Sequence, residues 1–323
     1  MTSLRWGILG ASKFARTHMG PAIHAAHGAE LAAVATSDPV KAQGFQAFAP
    51  ALRVHDGYDA LLADPAIDAV YIPLPNHLHV EWSLKALDAG KHVLCEKPMT
   101  LAASEFDRLI AARDQTGRLA AEAFMIVHHP QFIRARELVQ GGAIGPLRHV
   151  EAVFSYFNDD AGNIRNQADK GGGGLRDIGV YTMGAARFVS GAEPDKITHA
   201  RIDLTGGVDT YAQFAADFPG FSFQSMVSTR LAPRQAVVFH GEKGVLTLTC
   251  PFNANVADVA KLRLEAGDNT VVTERWPAVN HYVCQVENFG RSVQTGADYP
   301  CPLEFSRGTQ HMMDMVFAAG RPA

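Results

Sequence analysis

Two short stretches carry residue types suited to chemistry. GILGASKFA (residues 7–15) closes an apolar run and opens a helical pattern. Set against a G-x-G-x-x-G/A turn, its register is Gly10, Ser12 and Ala15. Gly10 allows the tight turn, small Ser12 lets a pyrophosphate approach the backbone, and Ala15 permits close helix–strand packing. Lys13 and Phe14 lie between those positions, at a helix start whose free N–H groups and partial positive charge suit phosphate oxygens. Its place after a first strand predicts a dinucleotide site rather than a bare turn. The second stretch, GKHVLCEKPMT (90–100), ends a core-strand pattern on Glu96, Lys97 and Pro98 without loop padding. Read alone, it is a strand that stops at charges and proline, and Lys97 is a strand-end cation.

These stretches need a frame to position them. From residue 4 to about 122, apolar runs alternate with helical patterns: 4–10, 29–38, 67–75, 91–97 and 118–126 as strands, with amphipathic segments between. Alternation of this kind predicts a doubly wound α/β domain with a parallel sheet and right-handed crossovers. After residue 122 the pattern changes. RHVEAVFSYF, DTYAQFAADF, FSFQSMVSTR, QAVVFHG and GVLTLTC alternate apolar and polar residues across tight connections. This predicts an α+β domain built on an open, mostly antiparallel sheet. The expected division is a Rossmann domain over 1–122 and a substrate-binding and oligomerisation domain over 123–323.

The second strand ends Ala35-Thr36-Ser37-Asp38. An acid at a strand tip accepts from a ribose 2′-OH and favours NAD, whereas its absence makes room for a 2′-phosphate. Thr36 and Ser37 supply hydroxyls there, and Asp38 comes one step late, before a proline, where it is equally suited to cap the next helix. The tip therefore favours NADP, with NAD open because no arginine accompanies the hydroxyls.

Bulk properties exclude other classes. Net charge is −4 with scattered basic residues, which argues against a nucleic-acid surface. The four cysteines, Cys95, Cys250, Cys284 and Cys301, are far apart and form no C-x-x-C pair, so neither a disulfide frame nor a zinc site is expected. His77 and His79 fall on opposite sides of a helix start, and the His128–His129 pair stands alone, so no metal is expected. There is no apolar window long enough for a membrane span and no apolar leader, so a soluble cytoplasmic protein is expected.

Here the residues match a known pattern. YIPLPNHLHVEWSLKALDAGKHVLCEKP together with GGGGLRDIGVYTMGAARFV resembles the glucose–fructose oxidoreductase / inositol dehydrogenase / rhizopine catabolism (Gfo/Idh/MocA) family. The likeness runs from the glycine turn to VENFGRSVQTG and is nearest the branch of sugar 1-dehydrogenases and trans-dihydrodiol dehydrogenases. It implies a Rossmann domain, an open-faced sheet domain, and hydride transfer between NAD(P) and a sugar, polyol or related cyclic hydroxy or keto compound. By resemblance, Lys97 matches the active-site lysine of the E-K-P motif, with a cis peptide before Pro98 and Glu96 counted with the cofactor. Asp177 and Tyr181 match the second signature. Pro73, Asn76 and His77 match the loop along the nicotinamide, and Arg165 in GNIRN resembles an arginine that touches substrate or cofactor. Val127 departs from the pattern, standing where many relatives carry arginine.

Oxidising an alcohol requires a proton acceptor at the hydroxyl oxygen. Asp177 and Tyr181, four apart on a helix, share a face. The resulting expectation is that Tyr181 exchanges the proton, Lys97 holds and polarises the oxygen and Asp177 orients the lysine and the substrate, with the Lys97 and Tyr181 roles open to exchange. A cofactor-bound sensor of the same fold is the rival reading, and an NAD-dependent hydrolase is a third. The aromatic sheet segments predict an apolar open face, and hence a homodimer or larger homo-oligomer packed through the second domain.

Overall fold

The apolar runs of the first third pair as a six-stranded, all-parallel sheet in the order β3-β2-β1-β4-β5-β6. The strands are β1 (Leu4–Leu9), β2 (Ala29–Ala35), β3 (Arg53–His55), β4 (Ala69–Ile72), β5 (His92–Cys95) and β6 (Ala120–Glu122). The structure is a computed structural model that describes residues 3–320. These residues form two compact units, 3–125 with 280–307, and 126–279 with 308–320. In the first unit the connecting helices are α1 (Gly20–Ala25), α2 (Pro39–Gln46), α3 (Tyr58–Leu62), α4 (His79–Asp88) and α5 (Phe106–Thr116). β1, β4 and β5 are almost entirely apolar and buried, as strands covered on both faces must be. Strand order reverses between β1 and β4, and at that reversal the loops after the strands part to leave a ligand crevice.

The second unit holds an eight-stranded sheet, β14-β13-β12-β11-β7-β10-β9-β8. Helix α6 (Pro130–Gln140) leads into β7 (Leu147–Phe157), and α7 (Val180–Ser190) connects β7 to β8 (Lys196–Thr205). The chain then runs through β9 (Val208–Phe218), β10 (Phe221–Ser228), β11 (Arg230–Gly241), β12 (Gly244–Leu248), β13 (Ala260–Ala266) and β14 (Val271–Trp276). Seven pairings make up this sheet, and the β7–β10 pairing is the parallel one among them. Two helices end the chain, α8 (His281–Thr295) and α9 (Leu303–Ala319).

The structure departs from the sequence reading in three places. First, a single cut at 122 does not describe the units, because 280–307 belong with the first. The cause is burial: Trp6 in β1 is wholly enclosed, and Phe289 of α8 covers it at 5.0 Å between ring centroids. Second, the strand expected over 118–126 is three residues long and turns into a 3₁₀ segment at Met125–His128, while β3, β8, β13 and β14 carry too many exposed side chains to stand out as apolar runs. Third, the phenylalanines of β9 and β10 do not line the open sheet face. Ser225 Oγ donates to Thr182 Oγ1 of α7 at 2.9 Å, so the face of β10 that carries Phe221, Phe223 and Ser225 is turned toward the helix. Phe214 and Phe218 of β9 pack on Phe223 in the same layer. The opposite face presents Tyr211, Gln213, Ala215, Ser222, Gln224, Met226 and Val238.

That division of faces is testable. Phe223→Ala is expected to cost about 3–5 kcal/mol in urea unfolding, and Gln224→Ala next to it less than about 0.5 kcal/mol. Equal costs would mean that the faces are assigned wrongly.

Candidate active site

In the first unit a groove of ≈ 500 Å³ lies at the carboxyl ends of β1, β2 and β4. Its floor is the glycine turn: Gly10, Ala11 and Ser12. One wall is Thr36, Ser37, Asp38 and Lys41, another is Asp56–Tyr58, and the far side is Pro73–Pro75. Gly10 has φ +103°, a region where a side chain is strained. A Cβ there would stand 3.0 Å from Leu74 and 3.3 Å from the Tyr58 hydroxyl, filling the floor. Ser12 Oγ accepts the Ala15 N–H at 3.1 Å, tying the turn to the helical segment that follows. Open floor, hydroxyl-lined wall and strand-to-helix turn together fit a dinucleotide.

The β2 tip resolves the two readings of Asp38. Its carboxylate accepts the Val40 N–H at 3.0 Å as the cap of α2, and Lys41 Nζ lies 3.8 Å from its other oxygen. Asp38 is thus occupied as a cap, Thr36 and Ser37 remain on the wall, and Lys41 adds a cation that the sequence reading missed. Lysine one turn into the following helix was the available signal.

Of the other expected cofactor residues, Pro73 lines this groove, whereas Lys13, Phe14, Ala15, Asn76, His77, Glu96 and Lys97 do not. Lys13 is exposed and Ala15 is buried under the helix turn. Phe14 packs on His18 and on Tyr282 from α8, at 5.0 and 5.7 Å between ring centroids. Asn76 is half-buried, and exposed His77 lines a separate groove with Glu81 and Arg108.

The turn at Lys97 is fixed from three sides. Tyr71, fully buried in β4, donates to Glu96 Oε1 at 2.5 Å, and Glu96 Oε2 accepts the Lys97 N–H at 3.3 Å. Glu122 accepts the Met99 N–H at 2.8 Å; burial pushes its pKa up, against Met99, Ser306 and the Lys97 charge. His79 stands between two carbonyls, Pro98 O at 2.8 Å and Leu74 O at 2.7 Å, and burial pushes its pKa down against their pull. The Lys97–Pro98 peptide is cis. Tyr71, Glu122 and the clamping role of His79 escaped the sequence reading, since a polar group inside a strand pattern looks like noise until its partner is known.

In the second unit Asp177 and Tyr181 fall on successive helical pieces, a π-type turn over Leu175–Gly179 and then α7. Arg165 Nε pairs with Asp177 Oδ1 at 2.9 Å, and Tyr156 Oη donates to Asp177 Oδ2 at 2.5 Å. The Asp177 charge holds the Arg165 proton well above its ordinary range, with Tyr156 and Tyr181 adding to the effect. The Tyr156 phenol is pushed up by burial and then by Asp177. The Tyr181 ring is buried against Phe154 and Phe252, at 5.9 and 5.7 Å. Phe154 and Tyr156 lie two apart on one face of β7, so a single strand seats both Tyr181 and Asp177. The structure thus brings Arg165, Asp177 and Tyr181 together and adds Tyr156. Val127 is buried in the 3₁₀ segment of this unit.

Among the described residues no group of three His, Cys, Asp or Glu is arranged to hold a metal, and no helix is long and apolar enough to cross a membrane.

Comparison with known proteins agrees with this geometry. The model of an oxidoreductase family with an NAD-binding Rossmann fold matches residues 4–124, and that of a GFO/IDH/MocA C-terminal domain matches residues 132–247. The chain is similar to D-xylose 1-dehydrogenase (NADP(+)) 2 of Haloferax volcanii, 34% identical over 97% of this chain and 96% of that one. It is 36% identical to the dTDP-3,4-didehydro-2,6-dideoxy-α-D-glucose 3-reductase of Streptomyces violaceoruber, over 90% and 86%. Among solved structures, the 3-ketoreductase KijD10 of Actinomadura kijaniata, with NADP and TDP-benzene, superposes with TM-score 0.89 at 30% identity, covering 98% of each chain.

The His79 clamp generates a prediction. His79→Leu removes the ring from between two buried carbonyls and is expected to cost about 1–3 kcal/mol in urea unfolding. Unchanged stability would show that the ring bonds do not hold the turn.

Proposed function

Because the chain belongs to the GFO/IDH/MocA oxidoreductase family, we propose that it is an NADP-dependent dehydrogenase or reductase of a sugar, polyol or related cyclic hydroxy or keto compound. The observation that carries this reading is the carboxylate of Asp177, held by Arg165 and Tyr156 four residues before Tyr181. An oriented, largely enclosed carboxylate is costly to maintain, and its position beside Tyr181 suits it to a substrate hydroxyl. When bound, the nicotinamide supplies or accepts the hydride.

The chain's own groups would then handle the oxygen. Tyr181 exchanges the proton of the substrate hydroxyl or carbonyl, Lys97 holds and polarises that oxygen, and Asp177, with Arg165, orients the sugar. Gly10, Ser12 and Pro73 shape the dinucleotide groove, and Glu96 steadies the Lys97 backbone. NADP over NAD is supported by the Thr36 and Ser37 hydroxyls, by Asp38 being engaged as a cap, and by the Lys41 cation on the same wall. The relatives named for NADP and for sugars support the same assignment. We also propose a homo-oligomer built through the open face of the second sheet, where Met226, Ala215 and Val238 alternate with polar neighbours. Light scattering after gel filtration that gives a monomer mass would reject it.

Absorbance at 340 nm with a panel of sugars and both cofactors tests the main reading. Turnover with NADP is expected, and Tyr181→Phe and Lys97→Met should each lower kcat by roughly 100-fold or more while NADPH binding persists. Tight cofactor binding without turnover on any sugar would favour a sensor. Lys41→Glu is expected to lower kcat/KM for NADP about tenfold or more and leave that for NAD nearly unchanged. A loss that is equal for both cofactors would remove Lys41 from the 2′-phosphate.

A further inference from the structure

Asp209 lies near the start of β9, 3% exposed, and has no part in the roles assigned above. Its Oδ2 accepts the Leu175 N–H at 2.5 Å, and the same oxygen would lie 3.4 Å from a Cβ on Gly174, so the carboxylate sits against the 174–175 backbone. Leu175 opens the helical turn that carries Asp177 and leads into Tyr181. The preceding glycines make the fit possible. Gly173 has φ +122°, and a Cβ there would lie 2.0 Å from Asp209 Oδ1. On the other side, the Gly173 N–H donates to Arg165 O at 2.9 Å, and a Cβ on Gly172 would lie 2.5 Å from that oxygen. Residues 172–174 are therefore clasped between the loop that presents Arg165 and the carboxylate of Asp209.

We propose that Asp209 is a positioning residue whose ionised carboxylate anchors the amino end of the 175–181 segment and so holds Asp177 and Tyr181 in register with Arg165. The inference rests on the proposed function and deepens it. A carboxylate presents acceptors on both oxygens to the Leu175 N–H and the 173–174 backbone packed against it, whereas an amide or a protonated acid carries a donor on one of them. Burial pushes the Asp209 pKa up to about 6, while the N–H groups and the Arg176 charge pull it back. Arg176 is the charged side chain acting on it; Leu204 opposite on β8 and the neighbouring Thr205, Thr210, Ser228 and Thr229 are neutral. The folded value lies above the ordinary 3.8, so this group's contribution to stability falls as pH rises toward about 6, and the fold carries the cost of the buried charge at neutral pH. A carboxylate kept at that cost has a positional rather than a stabilising use. As pH falls through about 6, the anchor is lost while global stability is not lowered by this group.

Hydrogen exchange read by mass spectrometry on the full ligand-free chain tests this without reference to activity. For the wild type, protection of amides 175–181, corrected for intrinsic rates, should fall about tenfold or more between about pH 7.5 and about pH 5. Asp209→Asn should show the low protection at both values with the amides of β7 and β10 unchanged, and circular dichroism should confirm its fold. Its kcat should drop about tenfold or more with NADPH affinity unchanged, and the acid limb of its pH profile should disappear. A wild type whose 175–181 protection is flat across that pH range overturns the anchor, with no variant needed. Hydride transfer by the wild type, joined with wild-type exchange and turnover in Asp209→Asn, also overturns it and leaves the sugar oxidoreductase standing. The expected exchange pattern with no turnover on any sugar leaves the anchor standing and removes the oxidoreductase reading.

Discussion

A carboxylate drawn out of water must be met by donors, and the pairing of Asp177 with Arg165 and Tyr156 is the contact around which this part of the second unit is arranged. Each partner reaches it for a local reason. Tyr156 arrives because β7 alternates, which brings positions 154 and 156 to the face turned toward the helix. Arg165 arrives because the chain leaves β7 through a loop whose backbone is pinned by the glycine run at 172–174. The π-type turn over Leu175–Gly179 then sets the angle at which Asp177 and Tyr181 leave the axis. A wide turn of this kind often marks a functional stretch, and here it falls on the residues that the family pattern singles out.

The first unit treats its own charges in a similar way. Glu96 and Glu122 border the Lys97–Met99 turn, each paired with backbone N–H groups and a hydroxyl rather than left to repel. His79 joins that turn to the loop beneath the dinucleotide groove through two main-chain oxygens. The same ring therefore ties Leu74 beside the groove to Pro98 beside Lys97.

Much of this was legible in the residues. The alternation of strands and helices was enough for the fold class, and the E-K-P and GGGGLRDIGVY motifs led to the family. What escaped depends on contacts distant in sequence. Tyr71 to Glu96 spans 25 positions and Asp209 to Leu175 spans 34, and no local pattern reveals either. FSFQSMV alternates equally well in both orientations, and the Ser225–Thr182 bond together with the packing of Phe214 and Phe218 on Phe223 fixes which way phenylalanine points. Lys41 and Asp38 exchanged importance for a simpler reason, since the capping geometry of α2 consumes the acid and leaves the cation on the wall.

The return of residues 280–307 to the first unit bears on the order of events during synthesis. The nucleotide-binding sheet begins with β1, yet Trp6 in that strand is covered by Phe289, which is synthesised long after it. The intervening sheet unit takes most of its residues, 126–279, from one continuous stretch. Domains tend to fold as units while the chain emerges, and here the first unit to start is completed only after most of the second has emerged. Until then Trp6 lacks its Phe289 cover, and α8 is the late part that closes the first unit.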